Sequence, residues 1–319
     1  MNAAVVHSFD APPRYESFAD PTPAGDEVLV RVTAAGLHPI VKALARGTHY
    51  GSSGHLPFIP GVDGVGRLDN GSRVLFGLAR SPYGTFAERS VTKRTMCTAI
   101  PDGLDDATVA AMMNPAMSSW VALKHRAHFL AGESVLILGA TGSAGRMAVQ
   151  IARRLGARWI LAVGRAPAAL VETKSLGADA TISLNQDREA LVTALRDAIA
   201  SVKIDVVLDY LWGAPAEAVL AAIGQKGLEH GAPRIRFVQI GTSAGPTISL
   251  PGAILRSSGL ELVGSGFGSA SPEQIFQSLG EFFEEAARKP FRIELRTAPL
   301  SDVEKQWNAE GDARLVFQP

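Results

Sequence analysis

The chain has 319 residues, more than one domain usually holds, so two domains are expected. It is 46% hydrophobic and 19% charged, which supplies a large core and excludes a disordered chain. Lys plus Arg and Asp plus Glu each number 31, which excludes a nucleic-acid binder working by bulk attraction; the single cysteine, Cys97, excludes a disulfide framework and any site built from several thiolates.

The first third predicts short strands at residues 3–7, 14–18, 27–34 and 84–92. In the third of these, Val28, Val30 and Val32 recur with a period of two, the pattern of a half-buried strand. Glycines cluster between positions 47 and 77, with prolines at 57 and 60, and predict tight turns in a small β-fold. Residues 105–113 and 118–129 read as two helices. From Ser134 strands and helices alternate: strands at 135–138, 159–163, 181–183, 204–208 and 235–240, helices at 143–155, 168–176, 187–200 and 215–222. Runs such as VLIL and DVVLD are continuously apolar, as strands covered by helices on both faces must be. The expectation is an α/β doubly wound parallel sheet of about six strands. A short apolar strand at Gly259–Gly264 reads as the sheet edge, and unpaired edges invite pairing with a second copy. A helix at 272–287, a strand at 293–296, a short helix at 301–308 and a strand at 314–317 return to the first domain.

No apolar run reaches the ~18 residues of a membrane span. His7, Asp10 and two prolines stand where a signal peptide would be apolar, so a cytoplasmic protein without membrane attachment is expected.

The strongest chemical signal is the stretch from Val135 to Ala157. A buried strand runs into Gly139-Ala140-Thr141-Gly142-Ser143-Ala144-Gly145, and an amphipathic helix follows. This G-x-x-G-x-x-G spacing is a variant of the dinucleotide fingerprint: a sharp turn at the first glycine, close approach of a pyrophosphate at the second, tight helix–strand packing at the third. Amides at the start of the helix meet the negative charge. A tight turn of purely structural purpose is the plainer alternative. The second strand ends Val163-Gly164-Arg165-Ala166, with no acid before Glu172. A carboxylate there would hold a ribose hydroxyl and repel a 2′-phosphate, whereas a guanidinium pairs with the phosphate, so Arg165 favours NADP(H) over NAD. A solvated loop arginine is the alternative.

With these motifs the chain resembles the medium-chain dehydrogenase/reductase superfamily, in its zinc-free quinone oxidoreductase branch. The stretches AAGLHPIVKALARGTHY, PFIPGVDGVGRL, GATGSAGRMAVQIARRLGA, LGADATI and APLSDVEKQW carry the likeness over nearly the whole length. The resemblance implies a GroES-like β-rich catalytic domain at residues 1–120 and 267–319, and a Rossmann nucleotide-binding domain at 121–266. It implies that Ser118 contacts the nicotinamide side. Cofactor contacts are further expected at Gly241, Thr242, Gly266 and Phe267. Zinc-dependent members carry a cysteine where this chain has His38, and Gly-His-Glu where it has Gly61-Val62-Asp63. Val62 has no donor atom, so no metal is expected. Quinone reductases of the family use a lysine and a tyrosine for the 2′-phosphate where this chain has Ala169 and Leu184, which leaves that task to Arg165.

His38 is then the candidate catalytic hydrogen-bond donor, with Val62, Asn114 and Tyr50 as candidate substrate-pocket residues. His38, His49 and His55 are close in sequence but read as loop or cleft residues. Asp209, ending the fourth strand of the second domain, reads as a turn residue. The expected activity is NADPH-dependent reduction of quinones or α,β-unsaturated carbonyls by a homodimer. A 2-enoyl thioester reductase and a non-catalytic NADPH-binding sensor are the alternatives.

Overall fold

A computed structural model describes residues 1–224, 231 and 233–319. The chain divides into two compact units, Met1–Asn114 with Ser271–Pro319, and Pro115–Ala270.

In chain order the first unit opens with β1 (Asn2–Val5), β2 (Arg14–Ser17) and β3 (Glu27–Gly36). Helix α1 (Pro39–Ala45) follows, then β4 (Asp63–Leu68), β5 (Arg73–Gly77), β6 (Arg89–Lys93) and β7 (Cys97–Ala99). The glycine-rich stretch thus holds β4 and β5. Gly66 lies opposite β3 so closely that a Cβ there would stand 2.5 Å from the Val30 side chain. The strand expected at 84–92 begins only at Arg89, because the amides of Thr85 and Phe86 serve the loop, donating to the Gly61 and Pro60 carbonyls.

Where two helices were expected there is one, α2 (Asp106–Val121), which carries Pro115 in its interior and continues as one π-helical turn at Ala122–Arg126. A proline removes one backbone bond and usually ends a helix. Here Met112, Met113, Ala116, Trp120 and Val121 are all buried, and packing on both sides of the proline outweighs the lost bond.

The second unit contains β8 (Ser134–Leu138), α3 (Ser143–Arg154), β9 (Trp159–Gly164), α4 (Pro167–Ser175), β10 (Ala180–Ser183) and α5 (Arg188–Val202). It continues with β11 (Val206–Asp209), α6 (Gly213–Ile223), β12 (Arg234–Gln239), α7 (Gly252–Arg256) and β13 (Gly259–Gly264). These six strands form one parallel sheet in the order β10-β9-β8-β11-β12-β13. Every residue of β8 and β11 is buried, which is why both read as unbroken apolar runs. Leu136, Leu161, Val207 and Phe237 pack with Leu195, Val219 and Ile223 of α5 and α6 into one continuous core.

The chain ends with α8 (Pro272–Arg288), β14 (Leu295–Pro299), α9 (Val303–Gln306) and β15 (Arg314–Gln318). Ser271 and Gln274 form a capping box at the start of α8. β15 pairs with β3 and β14, closing the order β14-β15-β3-β4-β5-β7, with β6 on β3. Phe86 sits edge-on to both Trp307 and Phe317 at the centre of this unit's core. The architecture is a doubly wound Rossmann sheet in one unit and a β-rich fold of the GroES-like kind in the other.

Candidate functional site

In a doubly wound sheet, ligands bind outside the carboxyl ends of the strands where the order reverses. Here the chain winds outward from β8 to β10 on one side and from β11 to β13 on the other, so the reversal lies between β8 and β11.

The turn after β8 stands at that point. Gly139 has φ +93°, a conformation a side chain strains. Its amide and that of Ala140 donate to the Val163 carbonyl at 2.9 and 3.0 Å, which ties the turn to the end of β9. Gly142 is exposed and caps α3 without a side-chain bond. The first bond inside the helix is Arg146 N–H to the Gly142 carbonyl, so the amides of Ser143, Ala144 and Gly145 precede the helical ladder. Gly145 packs on the turn: a Cβ there would lie 2.6 Å from Ala140 Cα and against the Gly139 carbonyl. Gly164 closes the other flank, since a Cβ there would lie 2.6 Å from Thr141 Cγ2. The result is an open anion cradle with an exposed glycine at its mouth and amides beneath it.

Arg165 is exposed just beyond β9, and its carbonyl accepts from Asn185 Nδ2 at 2.9 Å. The acid next along the chain, Glu172, is paired with Arg146 at 3.1 Å. That pair went unseen in the sequence because its partners lie on two different helices, α3 and α4.

The remaining residues expected at the cofactor lie on the same edge of this sheet or beside it. Gly241 follows β12 and donates to the Asp209 carbonyl at 3.1 Å. Thr242 is exposed next to it, and its carbonyl accepts from Gly245. Gly266 and the half-buried Phe267 lie just past β13. Asp209 holds the turn after β11: its Oδ1 accepts from the Leu211 and Trp212 amides at 2.8 and 3.0 Å. Burial pushes its carboxyl up to about 6. Ser118, on α2, donates to the Pro115 carbonyl at 3.0 Å.

The residues of the first unit group differently. Tyr50 is 73% exposed and stacks on His49 with ring centroids 4.1 Å apart. Val62 is half-buried against the core, and Asn114 is half-buried on α2. His38 corrects an expectation. A donor to substrate needs an open face, but the His38 side chain is 0% exposed. Its Nε2 lies 3.2 Å from Asp63 Oδ1, and a Cβ on Gly36 would lie 2.5 Å from the same nitrogen. Burial pushes the imidazole below its usual pKa, and Asp63 opposes that only in part. The close partner had a sequence signal: Asp63 directly follows the donor-less Val62. Its meeting with His38 required the antiparallel pairing of β3 with β4.

The chain is similar to known reductases. A protein of Emericella nidulans named probable NADPH-dependent quinone reductase is 29% identical over the full length of both chains. A quinone oxidoreductase of Thermus thermophilus, solved alone and in complex with NADPH, superposes with a TM-score of 0.81 at 25% identity over the whole of both chains. Over its full length the chain is thus similar to quinone reductases of the medium-chain dehydrogenase/reductase kind. The human quinone oxidoreductase is 34% identical over 167 residues, about half of each chain. The family description "Zinc-binding dehydrogenase" matches residues 144–285.

Zinc needs testing against the residues themselves. A catalytic zinc takes three protein ligands. His38 and Asp63 make two, and the neighbouring Val62 carries no donor. Among the described residues no three His, Cys, Asp or Glu side chains gather closely enough to hold a metal ion. Among the described residues, His38 and Asp63 do not make the donor set that a catalytic zinc needs.

Proposed function

We propose that the chain is an NADPH-dependent oxidoreductase that reduces quinones or α,β-unsaturated carbonyls without zinc. The observation that carries the reading is the carboxyl edge of β8 and β9. An open glycine turn stands over helix amides, an exposed arginine ends the second strand, and the nearby Glu172 is neutralised by Arg146. The amides at the start of α3 hold the pyrophosphate, and Arg165 pairs with the 2′-phosphate. NADPH, when bound, supplies the hydride. The protein's own contribution is placement and a dry surrounding, which suits acceptors that need no metal to polarise them.

With its side chain buried and its Nε2 facing Asp63 at 3.2 Å, His38 is not the donor to the acceptor. The exposed edge strand β13, of which Leu262 is 38% exposed, supports a homodimer. Light scattering at micromolar concentration gives a dimer mass on this reading and a monomer mass against it. No helix among the described residues is long and apolar enough to cross a membrane.

The test of function is NADPH oxidation with a panel of quinones, enones and 2-enoyl thioesters. Turnover of quinones or enones is the expected result. Turnover confined to thioesters moves the substrate class, and binding of NADPH without turnover of any acceptor refutes the enzyme reading.

A further inference from the structure

Tyr210 stands at the point where the sheet reverses, directly after β11. Its amide donates to the Leu138 carbonyl at 3.0 Å, and its own carbonyl accepts from Ser243 Oγ at 3.0 Å. The turn of the nucleotide cradle rests against it: a Cβ on Gly139 would lie 3.3 Å from Tyr210 Cβ. On the other flank, a Cβ on Gly241 would lie 2.6 Å from its carbonyl oxygen. The backbone of Tyr210 is therefore wedged between the two halves of the sheet.

Its side chain does something else. The phenolic oxygen lies 2.9 Å from Ser119 Oγ. Ser119 is 0% exposed and donates its own proton to the Pro115 carbonyl at 2.9 Å. The chain of donors therefore runs from Tyr210 through Ser119 to Pro115. Ser118 donates to the same carbonyl at 3.0 Å. Burial pushes the phenol up to about 12, so it stays a donor at any pH where the protein works.

The helix segment it grips contains a proline. Pro115 lacks an N–H and loosens the turn before it. Serine hydroxyls bonded back to carbonyls three and four residues earlier bend a helix further. Directly after comes the π-helical turn at Ala122–Arg126. Between the proline and the π turn the segment is held by the packing of Ala116 and Trp120, and Tyr210 adds a hydrogen bond from the sheet that fixes it more closely.

A dinucleotide lies across the reversal point, with its adenosine half over β8 to β10 and its other half over β11 to β13. Tyr210 is the first residue of that second half. We propose that Tyr210 is a positioning residue for the nicotinamide half of the cofactor: its hydroxyl pins the Pro115–Ser119 segment of α2 to the carboxyl edge of the sheet and so sets where the nicotinamide ring can lie. The claim rests on the NADPH reading above. It separates two functions in one cradle. Arg165 and the α3 amides govern affinity for the adenosine half, and Tyr210 governs placement of the reacting half.

Tyr210→Phe tests this, because it removes one oxygen and leaves no cavity. Three readouts are taken on the parent, Tyr210→Phe, Ser119→Ala and the double variant. They are the Kd for 2′,5′-ADP, which probes the adenosine half alone; the fluorescence of the bound reduced nicotinamide; and kcat with its primary isotope effect, using NADPH deuterated at C4 and a naphthoquinone. The expected result is an unchanged Kd for 2′,5′-ADP, altered nicotinamide fluorescence, a kcat lowered about five- to tenfold as one hydrogen bond is lost, and a larger isotope effect. The double variant should be no worse than the worse single variant, since both break one chain of bonds. Parent-like fluorescence and isotope effect in Tyr210→Phe overturn the proposal. A parallel loss of 2′,5′-ADP binding and of melting temperature also overturns it, because it makes the residue merely structural. A parent that binds NADPH but reduces no acceptor sinks the enzyme reading alone, and the fluorescence comparison still decides the role of Tyr210.

Discussion

Two glycines in the same turn should fail in opposite ways when each is given a methyl group. At Gly145 the new Cβ would stand 2.6 Å from Ala140 Cα and 2.8 Å from the Gly139 carbonyl carbon, both backbone atoms that have no rotamer to change. Helix α3 must then move away from the end of β8. With the Gly139 carbonyl oxygen closer still to the new Cβ, the overpacking cost falls in the upper part of the usual range, about 2–3 kcal/mol, and the better helix propensity of alanine returns about 1 kcal/mol. A net loss of about 1–2 kcal/mol lowers the melting temperature of a domain this size by roughly 3–8 °C. At Gly142 the nearest atom to an added Cβ, the Gly139 carbonyl oxygen, is 3.8 Å away, and φ is −80°, which alanine adopts freely. Gly142→Ala should melt within about 3 °C of the parent, the residue being only a weaker helix cap. Yet its methyl stands at the open mouth of the cradle, where the pyrophosphate must approach the backbone. NADPH should bind at least about tenfold more weakly, equivalent to ~1.4 kcal/mol. Differential scanning calorimetry without ligand and titration calorimetry with NADPH read the two effects separately. A Gly142→Ala variant with parental NADPH affinity would refute the assignment of this turn to the pyrophosphate. A Gly145→Ala variant with parental melting would refute the packing argument.

Arg165→Ala should weaken NADPH by about ten- to a hundredfold, the worth of a charge-assisted pair at ~1.5–3 kcal/mol, while leaving NADH unchanged; equal affinity of the parent for both cofactors would sink the phosphate role. Asp209 makes stability depend on pH in a known direction. Its folded pKa of about 6 lies above the ordinary 3.8, so the native state holds the proton more tightly, and the contribution is present below ~pH 4 and lost as pH rises through ~6. Asp209→Asn keeps an oxygen for the Leu211 and Trp212 amides. It should gain stability relative to the parent between ~pH 4 and ~pH 7, by up to roughly 3 kcal/mol in urea unfolding; a constant difference over that window would contradict the assignment. Quinone-dependent NADPH oxidation should survive prolonged chelation, because His38 and Asp63 lack a third ligand beside them; loss on chelation with restoration by zinc would overturn the metal-free reading.

The doubly wound sheet and its cradle were legible before any folding was known. Both depend on features local to the chain: unbroken apolar runs such as Val135–Leu138, the spacing of Gly139, Gly142 and Gly145, and the arginine that follows Gly164. Local signals fail where a distant partner decides. Asn114-Pro115 reads as a helix break, but α2 runs through it, because buried side chains on both flanks outweigh one lost backbone bond. His38 reads as an accessible donor until β4 brings Asp63 to 3.2 Å and closes the space around it. The same holds for Glu172, silenced by Arg146 from another helix, and for Tyr210, whose hydroxyl finds Ser119 across 91 positions of sequence. Periodicity and turn chemistry are written within a dozen neighbouring residues. Burial, ion pairing and the reach of a side chain are set by which strands lie side by side, and no short stretch of chain contains that information.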